Sequence, residues 1–253
     1  MTAKSSKETV AVIIPSRYAS TRFPAKALAP LCGRPMVQHV VEKATASQAD
    51  LVLVATDHEL IRDAVESFGG RAVMTAVDHP SGTDRIAEAV RRSGEDIDII
   101  INVQGDEPLI PTSVIDELID IMKSDPTLEM ATVAVPGNRE TMTENNVKVV
   151  FGADKFALYF SRSMIPFCRA GGVPAQVYLH WGIYAYRRSA LEKFVKLPPG
   201  VLENCEKLEQ LRALENGIRI YVHVSDLESI GVDTPADLER AERKLREMME
   251  DGN

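Results

Sequence analysis

Short apolar runs rich in β-branched residues alternate with stretches of helical period along the first half of the chain. The runs at 10–14 (VAVII), 51–55 (LVLVA), 71–75 (RAVMT), 97–103 (IDIIINV) and 129–135 (EMATVAV) predict buried strands. Between them, the spacing predicts helices over 35–46, with Pro35 at the start and Met36, Val37, Val40, Val41 and Ala44 as the apolar stripe, and over 58–68, stopped by the glycines at 69–70. Two more follow, one opening near 81–83 and one over 112–123. This alternation is the pattern of a mainly parallel sheet with helices on both faces. From about Asn145 the pattern changes. VKVVF, FALYFS and 178–186 (YLHWGIYAY) predict strands joined by turns and by the loop RAGGVPA, an antiparallel insertion with an edge suited to dimerisation. The end returns to α/β, with a helix over 205–216, a strand over 218–224 and a final helix from Thr234. The expected division is therefore 9–144, an α/β part; 145–200, an antiparallel dimerisation insertion; and 201–250, the return to the core, all within one continuous domain.

Composition narrows the functional classes. The 253 residues suffice for one large domain, and 29 basic against 37 acidic residues give a net charge of −8, which argues against nucleic acid or an anionic membrane as partner. Cys32, Cys168 and Cys205 have no metal-ligand spacing and cannot all pair, as expected of a cytoplasmic protein. No apolar run approaches the length of a membrane span, and residues 1–8 read as a polar, disordered lead.

Candidate chemistry gathers at strand ends. After the first strand, PSRYASTRFPAKAL carries Arg17, Arg22 and Lys26 with no acidic residue, and such a loop either faces water or cradles phosphates. Neither GxGxxG nor GxxxxGK[ST] occurs. NVQGDEP ends a buried strand in Asp106, a carboxylate placed either to cap the next turn or to hold a hard divalent cation. In GVDTPADLE, Asp233 precedes a helix and by itself reads as an N-cap.

Taken in order, IIPSRYASTRFPAKAL, VATDHE, HPSGTDRIAE, INVQGDEPLI, ALYFSRSMIPF, HWGIYAYR, LEQLR and GVDTPADLE resemble the 3-deoxy-manno-octulosonate (KDO) cytidylyltransferases, the CMP-KDO synthetases of lipopolysaccharide biosynthesis. The resemblance runs from Val10 to about Glu242 and implies a nucleotide-diphospho-sugar transferase-like fold in a cytoplasmic homodimer, one catalytic domain in which 9–144 binds the nucleotide and 145–200 binds the sugar and dimerises. It also implies a reaction in which the anomeric hydroxyl of the sugar acid attacks the α-phosphorus of CTP and pyrophosphate leaves. On the matching positions Arg17 and Lys26 grip the triphosphate with the backbone of Ala19, Ser20 and Thr21, while Arg22 assists or shapes the loop. Asp106 and Asp233 hold Mg²⁺. Gln104 and the stretch from Thr75 through Ser81 and Asp84 to Arg85 read cytosine, Asp84 being equally suited to capping its helix. Arg162 takes the sugar carboxylate, and His180, Tyr184, Glu209 and Gln210 bind its hydroxyls, although strand packing also suits His180 and Tyr184. Trp181 reads as core or dimer contact. One departure is Ala25, where many members carry glycine before the lysine; another is the compact CRAGGVPAQV. 8-amino-KDO or a nonulosonic acid of the sialic type is the alternative substrate. A glycosyltransferase would ordinarily bring an Asp-x-Asp motif, which GDEP is not, and the retained Arg17, Lys26, Asp106 and Asp233 speak against a CTP sensor without turnover.

Overall fold

The computed structural model describes residues 7–19, 23–173, 175–227 and 229–251, so Ser20, Thr21 and Arg22 lie outside the described residues. The first apolar run becomes β1 (Val10–Ser16) and is followed by a small hairpin, β2 (Pro30–Leu31) and β3 (Arg34–Pro35), and by α1 (Met36–Thr45). Then come β4 (Leu51–Thr56), α2 (Glu59–Ser67), β5 (Ala72–Met74), α3 (Gly82–Ser93), β6 (Ile99–Asn102), α4 (Thr112–Ser124) and β7 (Met130–Gly137). Gly69 at φ 83° supplies the left-handed stop read from the sequence after α2. β8 (Lys148–Phe151) and β9 (Ala157–Ser161) form a hairpin, and β10 (Val177–Arg187) leads into α5 (Arg188–Phe194). The chain ends with α6 (Val201–Glu206), α7 (Gln210–Glu215), β11 (Ile220–Val224) and α8 (Pro235–Asp251).

Among the described residues, one sheet runs β11-β7-β10-β6-β1-β4-β5, with β8 and β9 attached through β10. β4, β5, β6 and β1 are mutually parallel, as are β7 and β11, and β10 runs antiparallel between β6 and β7. The strand expected at 178–186 therefore does more than build an insertion. Its second half, from Tyr184 to Arg187, pairs with both β6 and β7 in the middle of the sheet, and a register shift between Trp181 and Tyr184 separates it from the half that meets β8.

Alternation along β1 feeds a core on each face. Val10, Val12 and Ile14 pack with α1 and α4, whereas Ala11 and Ile13 pack with the apolar faces of α3, α5 and α7. Two expectations need correction, and one helix goes unpredicted. The helix expected over 205–216 is two, because Lys207 at φ 55° ends α6 and Leu208 turns inward before α7 begins. α5 was not read, being one short stretch that opens on a basic residue. The disordered lead expected over 1–8 does not hold for Lys7, which pairs with Asp50 at 2.6 Å, or Glu8, which pairs with Arg187 at 2.5 Å; residues 1–6 lie outside the described residues. Among the described residues, no helix is long and apolar enough to cross a membrane.

Lys148 is the least expected core residue. It is 1% exposed, and its ammonium donates to the carbonyls of Thr143 (2.8 Å), Asn146 (2.6 Å) and Arg162, with burial lowering its pKa. Three acceptors offset the desolvation of one cation and fix the approach to β8. Lys148→Met strands those carbonyls, and the expected loss is about 2–4 kcal/mol, measured as a lower urea midpoint at unchanged m-value.

Candidate active site

In an open α/β sheet the crevice lies beyond the carboxyl ends of the strands where the order reverses. Here the order reverses around β1, with β4 on one side and β6 on the other. The chain leaves β1 through Arg17 and Tyr18 and leaves β6 through Gln104-Gly105-Asp106. A Cβ on Gly105 would lie 2.6 Å from Ser16 Oγ and 2.9 Å from the Pro15 carbonyl, so only glycine lets the second loop lie against the end of the first strand.

That approach brings Asp106 to Lys26. The Lys26 ammonium donates to Asp106 Oδ2 at 2.6 Å, to the Val232 carbonyl at 2.8 Å and to Asp233 Oδ1 at 3.3 Å. Asp233 is held there by its neighbour. Val232 is 1% exposed, donates its N–H to the Asp106 carbonyl at 2.8 Å and packs with Leu31, Met36, Leu109, Ala241 and Leu245. The cap of α8 is Thr234, whose hydroxyl and N–H both donate to Asp237 and whose Oγ1 accepts the Asp237 N–H. The capping reading of Asp233 thus passes to the next residue, and the Asp233 carboxylate reaches Lys26.

A cavity of about 370 Å³ takes in Arg17, Lys26, Ser81, Arg85, Gln104, Asp106 and Asp233, together with Ser16, His79 and Gly105. Seven residues named from the sequence meet there. Ser16 Oγ is buried with no hydrogen-bond partner among the described residues, a polar atom left over at the edge of this cavity. The two carboxylates already converge on one cationic centre, the ammonium of Lys26. Such a pair suits a hard divalent cation, which takes one or two carboxylates and completes its shell with water and phosphate oxygens. Among the described residues no cluster of three or more His, Cys, Asp and Glu side chains could hold a metal unaided, so a cation here depends on oxygens from substrate or water.

Other predicted residues stand differently. Ala19 is exposed on the loop. Thr75 is buried behind the cavity, where its hydroxyl donates to the Thr56 carbonyl and accepts from Arg85. Asp84 is engaged at the start of α3, its carboxylate accepting from the Ser81 hydroxyl at 2.7 Å while its N–H donates back to Ser81 Oγ. Gln104 donates to Asn102 Oδ1 at 2.9 Å.

Of the residues named for a sugar, His180 and Tyr184 lie on β10 and Glu209 and Gln210 at the start of α7. The His180 ring lies 4.9 Å from Phe160 and 5.4 Å from Tyr184, and His180 Nε2 is 3.0 Å from Thr132 Oγ1. Burial raises the Tyr184 phenol well above its ordinary pKa. Glu209 accepts from Thr83 at 2.8 Å and is pushed up by burial, while its buried Oε1 has no hydrogen bond among the described residues and lies 3.8 Å from Arg212. Gln210 is buried beside it at the start of α7. His180 also lines a second cavity of about 530 Å³ with Glu107 and Trp181, whereas Tyr184, Glu209 and Gln210 line neither cavity. Arg162 lines neither of these cavities, its guanidinium donating to the carbonyls of Glu206 (2.9 Å) and Glu144 (3.3 Å).

Sequence reasoning gave no role to Asp57 or Glu107. Asp57 follows β4, so the strand-end rule that flagged Arg17 and Asp106 would have flagged it too. Glu107 is pushed up to about 7 by burial, with Asp106 and Asp233 adding to the effect while hydrogen bonds from Ser229, at 2.6 Å, and Trp181 oppose it.

Comparison with known proteins agrees with this geometry. The cytidylyltransferase family profile matches residues 11–220, and the chain belongs to that family of nucleotidyltransferase enzymes. More particularly, it is similar to the 3-deoxy-manno-octulosonate cytidylyltransferase of Geobacter sulfurreducens, with 50% identity over 251 residues, 94% of this chain and 99% of the relative. It is also 49% identical to the 8-amino-3,8-dideoxy-manno-octulosonate cytidylyltransferase of Shewanella amazonensis, over 94% of this chain and 98% of that one. The solved structure of a CMP:2-keto-3-deoxy-manno-octonic acid synthetase complexed with CTP superposes with a TM-score of 0.91 at 41% identity, covering 95% of this chain and 100% of that chain. A glucose-1-phosphate thymidylyltransferase from Bacillus anthracis, 17% identical with a TM-score of 0.67, shares the fold.

Burial holds the His180 imidazole down to about 3 from its ordinary 6.5. The unfolded chain therefore takes up a proton as pH falls below 6.5 while the folded site stays neutral, so this contribution to stability is full above 6.5 and is lost progressively toward about 3. Thermal midpoints measured across that window should fall less steeply for His180→Asn than for the wild type. Parallel profiles would contradict the assignment.

Proposed function

We propose that this chain transfers the cytidylyl group of CTP to the anomeric hydroxyl of KDO, giving CMP-KDO and pyrophosphate for lipopolysaccharide assembly. The observation that carries the reading is the meeting of Arg17 and Lys26 with Asp106 and Asp233 in one cavity at the reversal of strand order, in a chain half identical to enzymes named for this reaction. A triphosphate needs cations, and Arg17 offers a fork while Lys26 offers a compact point charge. Asp106 and Asp233 would hold Mg²⁺. When bound, that ion polarises the α-phosphate, neutralises the leaving pyrophosphate and lowers the pKa of the attacking hydroxyl.

The residues of the chain supply binding and orientation. Gln104, with both donor and acceptor atoms on its amide, suits the amine and carbonyl edge of cytosine, and Ser81 at the start of α3 adds a hydroxyl to the same cavity. Tyr184, His180, Glu209 and Gln210 form the polar wall for sugar hydroxyls, and the neutral imidazole of His180 keeps both a donor and an acceptor nitrogen. Arg162 gives one bond each from Nε and Nη1 to backbone carbonyls, and its planar guanidinium has the fork that pairs bidentately with a sugar carboxylate.

The relatives divide between two sugar acids at near-equal identity, so the same reaction on 8-amino-KDO is the second reading. A homodimer is supported by the exposed apolar side chains of Leu158, Phe167 and Val173 within 145–200. A cytoplasmic setting is supported by three unpaired cysteines.

Pyrophosphate release should be measured with CTP, Mg²⁺ and KDO, 8-amino-KDO or sialic acid in parallel, against a blank without sugar. Turnover with KDO is the expected result. Turnover with 8-amino-KDO alone would transfer the assignment to the second reading, and no turnover with any of the three would overturn both.

A further inference from the structure

A buried ion pair stands directly behind the cavity. Asp57 and Arg85 meet at 2.9 Å with side chains 6% and 4% exposed. Each has other partners. Asp57 Oδ1 accepts the backbone N–H of Tyr18 at 2.9 Å, and Arg85 Nη1 donates to Thr75 Oγ1 at 2.6 Å and to the Ala76 carbonyl at 3.2 Å. One carboxylate and one guanidinium thus join the loops that follow β1, β4 and β5.

The attachment point on the first loop is its neck. Tyr18 is fixed three times over: its N–H by Asp57, its carbonyl by the Ala25 N–H at 3.1 Å, and its ring by stacking on His58 at 3.9 Å and 15°. Ala25 closes that neck at φ 53°, a conformation an L-residue holds only where its surroundings impose it. Arg17 and Lys26 are the residues immediately outside the two ends of the neck. Whatever sets Tyr18 against Ala25 therefore sets the spacing of those two cations.

We propose that Asp57 is a positioning residue for the nucleotide: paired with Arg85, it fixes the neck of the β1 loop and so holds Arg17 and Lys26 at the separation that the triphosphate requires. Arg85 belongs to this strut, its guanidinium turned inward to Asp57, Thr75 and Ala76 rather than kept for the base. The inference rests on the CTP reading given above. Stability by itself does not account for the pair, because a buried ion pair returns little net stability over an apolar replacement. What it supplies is a fixed distance between loops from three strands. Because every contact lies on the nucleotide side, its loss should be felt by CTP and not by the sugar acid.

Asp57→Asn, Arg85→Met and the double variant test this, with the Michaelis constants for CTP and for KDO measured separately and CTP binding followed by calorimetry without sugar. Each single variant should raise the KM for CTP about tenfold or more while that for KDO stays within about twofold. The double variant should be no worse than the poorer single one, since both remove the same strut. A lower melting temperature with unchanged CTP constants, an equal rise for both substrates, or additive losses would overturn the proposal. Arg85→Lys, which keeps the buried charge but not the fork, replaces Arg85→Met if that protein fails to fold, and should show the same CTP-selective loss. A wild type that releases no pyrophosphate would overturn the CTP reading itself, whereas an active wild type with unaffected variants would overturn this proposal alone.

Discussion

The ammonium of Lys26 lies between Asp106 and Asp233, drawing together segments 80 and 206–207 residues away in the chain, and the carboxyl edge of the sheet is organised around that meeting. Its energetic contribution to folding is small. With Asp106 about a third and Asp233 half exposed, pairs of this kind are worth about 0–1 kcal/mol each. Its value is positional, because it registers the loop after β1, the turn after β6 and the approach to α8 against one another. Each of the three is held independently from behind: the β1 loop at Tyr18 by Asp57, the β6 turn by the close fit of Gly105 on Ser16, and Asp233 by the burial of Val232. A site assembled this way is stiff in its backbone and open only where its charged tips point.

The sheet explains why stiff supports are available here. β1 and β6 are buried on both faces, so their ends are fixed by core packing on two sides before any functional group is considered. β10, threaded antiparallel between β6 and β7, links the two ends of the crevice. Tyr184 sits in register with Asn102 of β6, two residues before Gln104, and its ring neighbours His180. The cavity at Lys26 and the proposed sugar wall are consequently two parts of one end of the sheet.

Much of this was legible in the sequence, and what escaped notice has common causes. Buried parallel strands announce themselves as continuous apolar runs, so β1, β4, β6 and β7 were read nearly to their ends. Strand-end position then pointed to Arg17, Lys26 and Asp106. Roles that depend on pairing across the chain are not legible locally: position after a strand can flag Asp57, but nothing near it in the sequence names its partner. Asp57 looks like any polar residue after a strand until Arg85 arrives from α3, and Lys148 looks like a surface lysine until three carbonyls close over it. The helix expected over 205–216 was misread because Lys207 breaks it in a conformation normally left to glycine or asparagine. Local spacing reads Asp233 as a cap and only the resemblance implies a site role for it; in the structure Thr234 caps α8 in its stead.

The central claim is that the Lys26 ammonium marks the place where the nucleotide's triphosphate is held. Calorimetric titration of CTP in the presence of Mg²⁺ and the absence of sugar, comparing wild type with Lys26→Met, tests it most directly. The account predicts at least about a hundredfold loss of CTP affinity, consistent with removal of a charge-assisted contact in a partly desolvated site, with the melting temperature close to that of the wild type. Unchanged CTP affinity in a folded Lys26→Met protein would contradict it.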